Sequence, residues 1–203
     1  MEILIVILLS YLSGSIPFGL ILIKIFTNKD IRNVGSGNIG ATNVLRTGNK
    51  YLAITTLILD ATKGFLPVII TNHILPDQIQ ISSLMVFLGH IFPIWLKFKG
   101  GKGVATYLGV LFALSISLSI LFIFTWLVVS LIFKYASVSS MFSSLTVLMV
   151  TVFRDNVIMA INSNMMPNNN IKILLFIFFI LIIFTHRKNI SNLKNRTEEK
   201  IKI

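Results

Sequence analysis

The chain has 203 residues, 55% of them hydrophobic and only 12% charged, with a mean hydropathy of +0.86. This excludes an ordinary water-soluble domain. The net charge of +11, from 18 Lys and Arg against 7 Asp and Glu, reads as the basic loops of a polytopic membrane protein rather than as a nucleic-acid surface.

The first apolar run, Ile3–Phe26, has Glu2 as its only early charge and no small-residue cleavage site, so it reads as a retained span rather than a signal peptide. Its Ser13, Gly14, Ser15, Pro17 and Gly19 suit close helix packing. The segment DIRNVGSGNIGATNVLRTG, 30–48, follows; from Gly35 onward it is a flexible polar loop without an acid. Tyr51–Ile70 is the second span, where Asp60 and Lys63 share a face as an ion pair or as substrate contacts. Ile81–Phe98 is the third, containing GHIFP at 89–93 and running into KFKGGKGVAT at 97–106. Val104–Phe133 carries no charge and is too long for one ordinary span yet short for two. Ser115, Ser117 and Ser119 lie near its middle without a Gly or Pro to mark a break there. KYASVSS, 134–140, then leads to Met141–Phe153 and Ile171–Thr185, and HRKNI, 186–190, opens a short polar tail.

Charge settles the count. If 104–133 is two helices, Lys24, Lys29, Arg32, Arg46, Lys50, Lys97, Lys99, Lys102, Lys134 and the basic tail (Arg187, Lys188, Lys194, Arg196, Lys200, Lys202) share one side, with Arg154 and Lys172 opposite. Basic residues collect on the cytoplasmic face. The expectation is therefore an all-α membrane protein of seven transmembrane helices forming one domain over 1–203. Its N-terminus is outside and its C-terminus cytoplasmic, with cytoplasmic loops at about 27–50, 97–103 and 134–140 and a tail over 186–203.

Every Gly-rich or basic loop then faces the cytoplasm. Gly35, Gly37, Gly40, Gly100, Gly101 and Gly103 allow close backbone approach, so that successive N–H groups can cradle an anion. Arg46 and Lys102 add charge, and Ser, Thr and Asn add neutral donors. GGKG lacks the spacing of a nucleotide P-loop, so nucleotide hydrolysis is not supported. His90 reads as a base, a phosphate donor or a packed core histidine. No cysteine is present and no His, Asp or Glu cluster has metal-ligand spacing, so neither metal nor cofactor is expected.

SGSIPFG at 13–19, GSGNIGATNVLRTG at 35–48, GHIFPIWLKFKGGKGVAT at 89–106, KYASVSS at 134–140 and HRKNI at 186–190 together resemble the bacterial acyl-phosphate:glycerol-3-phosphate acyltransferases, the PlsY family. The resemblance spans essentially the whole chain. It implies a seven-helix enzyme of the bacterial cytoplasmic membrane that moves a fatty acyl group from acyl phosphate to the 1-hydroxyl of sn-glycerol 3-phosphate, giving lysophosphatidate and phosphate. The partners implied are those two substrates and the bilayer, with no nucleic acid and no obligate protein partner. It also implies site roles for Ser36, Asn38, Thr42, Asn43, Arg46, Lys102, Thr106, Ser137, Ser140, His186 and Asn189, and His90 matches a GHxFP motif. In the tail, Asn192 stands where the family commonly has Arg and Arg196 where it has Gly, while Thr197 and Glu198 keep the pattern.

An acyl phosphate is already activated, so no covalent enzyme nucleophile is required. Direct attack by the glycerol hydroxyl would need Arg46 and Lys102 for phosphate charge, and loop N–H groups with Ser36 for the developing oxyanion. The hydroxyl proton would pass to a substrate phosphate oxygen, to His186 or His90, or to Asp30, the one loop carboxylate in reach of that role. A transporter for phosphorylated lipids would use the same basic loops as a vestibule. It would also place polar residues at the midplane of several helices; here such polarity is confined mainly to Asp60, Lys63 and the Ser and Thr residues.

Overall fold

The computed structural model describes residues 1–161 and 169–201; Lys202 of the basic tail lies outside them. All regular structure among the described residues is helical. The chain forms two compact units, 1–116 and 117–203.

In the first unit, the predicted opening span is two helices, α1 (Glu2–Ser15) and α2 (Phe18–Thr27). Pro17 lacks the N–H that would continue the ladder, and Ile16 before it is extended. A five-residue helix, α3 (Ala41–Leu45), lies inside the first Gly-rich loop. α4 (Lys50–Ile74) is capped by the Asn49 side chain, which accepts from the Leu52 N–H. α5 (Ile79–Ile91) stops before Phe92-Pro93, seven residues short of the predicted end, because Pro93 turns the chain into a short 3₁₀ segment, Ile94–Leu96. α6 (Val104–Leu114) ends at Ser115, which is extended; the uncharged run is therefore broken where the serines begin.

Glycine sets the helix crossings. A Cβ on Gly14 would lie 2.0 Å from the Val86 carbonyl oxygen and one on Gly89 2.3 Å from that of Tyr11, so α1 and α5 meet backbone to backbone. Gly109 against Ala61 (1.9 Å) and Gly64 against Thr106 (2.3 Å) do the same for α4 and α6. Membrane helices associate through such small-residue contacts because lipid offers no hydrophobic drive between them. A bond between the Ser10 and Ser82 hydroxyls, 2.9 Å, adds to the α1–α5 contact.

The first Gly-rich loop is packed rather than flexible. Ile31, Ile39 and Val44 are buried with Ile23 of α2 and Leu52 and Ala53 of α4. Withdrawing such a side chain from water is worth about 1.5–3 kcal/mol each, enough to hold a glycine-rich segment in one place.

The second unit contains α7 (Ile116–Phe133, whose first residue belongs to the first unit), α8 (Ala136–Ile161), α9 (Asn169–Thr185) and α10 (Arg187–Lys194). Two expected loops are helical. α8 begins at Ala136, so Ser137 and Ser140 lie in its first turns, and the RKNI of HRKNI forms the start of α10, with His186 just before it. Asp155 pairs with Arg154 at 3.3 Å and with Lys172 at 3.2 Å.

By length and composition, five helical segments among the described residues can cross a membrane, or six if the pair 170–185 and 187–194, bent by 54°, is one span; α6 is a shorter apolar helix. Leu8, Ile25, Phe124, Ile132 and Phe176 are among many large apolar side chains left exposed, as lipid contact requires.

Candidate active site

The first loop is built around one side chain. Asn43, buried at 2% exposure, donates from Nδ2 to the carbonyls of Ile31 (3.2 Å), Val34 (2.9 Å) and Asn38 (2.7 Å). Its Oδ1 accepts from the Ser36 N–H (3.0 Å) and the Ser36 hydroxyl (3.2 Å). The Asn38 side chain in turn accepts from the Gly40 N–H, at 3.0 Å, just before α3. Gly35 (φ +52°) lies against Asn43 and Arg46: a Cβ there would be 2.6 Å from Asn43 Oδ1 and 2.8 Å from Arg46 Cδ. Gly35, Ser36, Asn38, Gly40, Asn43 and Arg46 are thus one local assembly. Gly37 follows at φ +72°, and Thr42 is exposed on α3.

Asp30 is spent elsewhere in this loop. Arg32 grips its carboxylate through Nε and Nη2 (2.6 Å), and the Arg32 backbone N–H donates to it as well. Those bonds hold the carboxyl down at about 2. A carboxylate so stabilised is a poor proton acceptor, and the expectation that Asp30 could serve as base loses its support.

The second loop folds back on the end of α5. The Gly100 and Gly101 N–H groups donate to the Ile91 and His90 carbonyls, each at 3.2 Å. Gly101 sits against the imidazole, where a Cβ would fall 2.2 Å from His90 Nε2, and Gly103 (φ +82°) sits on Phe87. Lys97 and Phe98, at φ +51° and +62°, take left-handed conformations that cost roughly 1–2 kcal/mol each. His90 and Thr106 are both buried, with Nδ1 and Oγ1 3.0 Å apart. The His90 ring is packed between Thr106 and Gly101. Asp60 and Lys63 do form an ion pair, Nζ to Oδ1 at 2.7 Å, both buried in α4. A charge at mid-span costs about 2.5–3.5 kcal/mol by insertion scales, which mutual pairing offsets.

In the second unit, Ser137 and Asn189 meet at a residue that spacing did not single out. The Glu198 carboxylate accepts from Ser137 Oγ (3.0 Å), Asn189 Nδ2 (2.5 Å) and Asn192 Nδ2 (3.3 Å). Ser140 accepts from the Trp126 indole at 3.1 Å and donates to the Ala136 carbonyl. His186 is buried at the α9–α10 bend, where its Nδ1 donates to the Ile182 carbonyl at 2.8 Å. Both departures in the tail have a local account. Arg196 has φ +58°, the left-handed conformation after a helix that favours Gly, and Asn192 donates to Glu198.

A family profile described as glycerol-3-phosphate acyltransferase matches residues 4–196. The chain belongs to that family. It is 56% identical over 203 residues to the glycerol-3-phosphate acyltransferase of Pelagibacter ubique, covering all of both chains. It is 45% identical over 191 residues to that of Mesorhizobium japonicum, covering 94% of this chain and 92% of the relative. Among solved structures it resembles PlsY (YgiH), an integral membrane glycerol 3-phosphate acyltransferase, in two crystal structures. The glycerol 3-phosphate form matches with a TM-score of 0.87 at 33% identity, and the lysophosphatidic acid form with 0.84 at 31%; each covers 100% of this chain and 96% of that one. The family is therefore that of an integral membrane acyltransferase.

Proposed function

We propose that the chain transfers a fatty acyl group from acyl phosphate to the 1-hydroxyl of sn-glycerol 3-phosphate. The reading extends to a bacterial cytoplasmic membrane, seven spans with α6 as one of them, and a site on the cytoplasmic side. The break at Ser115 supports the count, because it divides the uncharged run in the way the charge distribution requires. The observation that carries the function furthest is the whole-chain match to a PlsY crystallised in glycerol 3-phosphate and lysophosphatidic acid forms.

On this reading the glycerol hydroxyl oxygen attacks the acyl carbonyl carbon. The carbon–oxygen bond to phosphate then breaks, and phosphate leaves with the hydroxyl proton on one of its own oxygens. Arg46 and Lys102 bind phosphate charge, with Thr42 as a neutral donor, while the Ser36, Gly37, Gly40, Gly100 and Gly101 N–H groups donate within the loops and hold their shape. In the structure the Ser36 hydroxyl donates to Asn43; to stabilise an oxyanion it exchanges that acceptor for the substrate. His90 and Thr106, being buried, act from beneath the loop. Ser137, Ser140, His186 and Asn189 are proposed substrate contacts of the second unit.

The test is an assay of purified protein with glycerol 3-phosphate and acyl phosphate, or an acyl thioester in its place, with chelator present throughout. Equal release of lysophosphatidate and phosphate from acyl phosphate alone is the expected result. Transfer from the thioester only would overturn the donor, and loss of activity to the chelator would overturn the metal-free mechanism.

A further inference from the structure

Asp60, Lys63 and His90 have no part in the bond changes above, yet together they reach both Gly-rich loops of the first unit. Lys63 holds Asp60 Oδ1 at 2.7 Å and donates to the Ile16 carbonyl at 2.6 Å. Ile16 is where Pro17 divides α1 from α2, so the ammonium satisfies a carbonyl at that break. α2 begins two residues later. Its Gly19 lies so near the first loop that a Cβ would be 2.0 Å from the Ile39 carbonyl oxygen. On the opposite side, His90 Nδ1 is 3.9 Å from Asp60 Oδ1 and 3.0 Å from Thr106 Oγ1. The His90 carbonyl accepts from Gly101, and its ring supports that glycine. A continuous run of contacts therefore leads from Ile39 in one loop to Gly101 in the other, through the buried ion pair of α4.

We propose that Asp60, Lys63 and His90 are positioning residues that fix the spacing between the two Gly-rich loops and so set the affinity for glycerol 3-phosphate. A salt bridge kept only for stability could be replaced by apolar side chains of similar size at little cost. One that aligns two halves of an anion site could not, because displacing binding groups by about 1 Å costs on the order of 100-fold. The inference rests on reading the two loops as the phosphate site.

The experiment compares Asp60→Leu/Lys63→Met, Thr106→Val, Thr106→Ser and Lys102→Ala with the parent. Melting temperature in detergent and separate kcat and KM values for glycerol 3-phosphate are measured. The expected result is a near-parental melting temperature with KM raised roughly 10- to 100-fold in the double variant and in Thr106→Val. Thr106→Ser should restore binding by returning a hydroxyl to His90. If the double variant does not fold, the two Thr106 variants decide. A parental KM in any folded disruptive variant, or an equal loss in Thr106→Ser, overturns the proposal. Lys102→Ala separates the two levels: if it alone weakens binding, the loops keep their role and the positioning cluster falls; if it too binds normally, the reading of the loops falls.

Discussion

Asn43 is the most informative residue to change. Asn43→Ala removes the donor from three carbonyls and the acceptor from Ser36 in one step. Water can reach part of the opened loop, so not every lost bond carries its full penalty. If two of the three carbonyls stay poorly solvated at about 1–2 kcal/mol each, the loop loses about 2–4 kcal/mol of order. That corresponds to roughly 30- to 1,000-fold in kcat/KM if only the ordered loop is active. Asn43→Asp is the sharper form of the same test. It preserves size and the acceptor for Ser36 but turns an oxygen toward the Ile31, Val34 and Asn38 carbonyls, so it should be at least as damaging as Ala. The assay is the initial rate of acyl transfer at matched protein, with hydrogen exchange over 31–40 read alongside. Near-normal activity in Asn43→Asp, with parental exchange, would refute the claim that this amide organises the loop.

Arg46→Ala and Lys102→Ala should each lower kcat/KM about 10- to 150-fold, the value of a charge-assisted contact; Arg46→Lys should recover only part, and Lys24→Ala and Lys188→Ala should be close to parental. Parental rates in both alanine variants would remove the anion site from the loops. Arg196→Gly should raise stability by about 1 kcal/mol by relieving a left-handed conformation, seen as a higher melting temperature; a fall would count against that account of the tail. Asp30, held near 2 against an ordinary 3.8, contributes stability that is complete above about 4 and is lost as pH falls through 2. Asp30→Asn should accordingly leave the pH–rate profile between 5 and 9 unmoved, and a displaced limb would return Asp30 to the list of bases. Reporter fusions after residues 48, 101, 135 and 195 should read cytoplasmic and one after 76 external; an external signal at 195 would sink the seven-span topology.

The apolar runs were legible because lipid demands length and hydrophobicity, and both are visible residue by residue. Boundaries were less so. Pro17 and Pro93 were in plain view, but apolar residues on both sides carried the predicted spans through them. Ser137 and Ser140 read as loop by composition, yet inside α8 the Ser139, Ser140 and Ser143 hydroxyls donate to carbonyls four residues back, which lets a serine-rich face remain helical. The candidate site was legible as a list of anion-binding residue types. What each one does was not. Asn43 as organiser and His90 as support depend on burial, which no spacing encodes. Glu198, which meets Ser137 61 positions away, offers no local signal beyond its place in a motif.

The glycine crossings of α1 with α5 and of α4 with α6 bear on how such an enzyme lives with its own output. On the proposed reading its product is the starting material of the surrounding bilayer, so growth alters the solvent in which it works. Chain length, headgroup and lateral pressure act first on outward-facing side chains such as Leu8, Ile58 and Phe112. The crossings themselves are backbone against backbone, with no side chain between them to repack when the lipid changes. Their geometry is thereby insulated from membrane composition, and drift in the lipid-facing sequence is tolerated so long as Gly14, Gly64, Gly89 and Gly109 stay fixed.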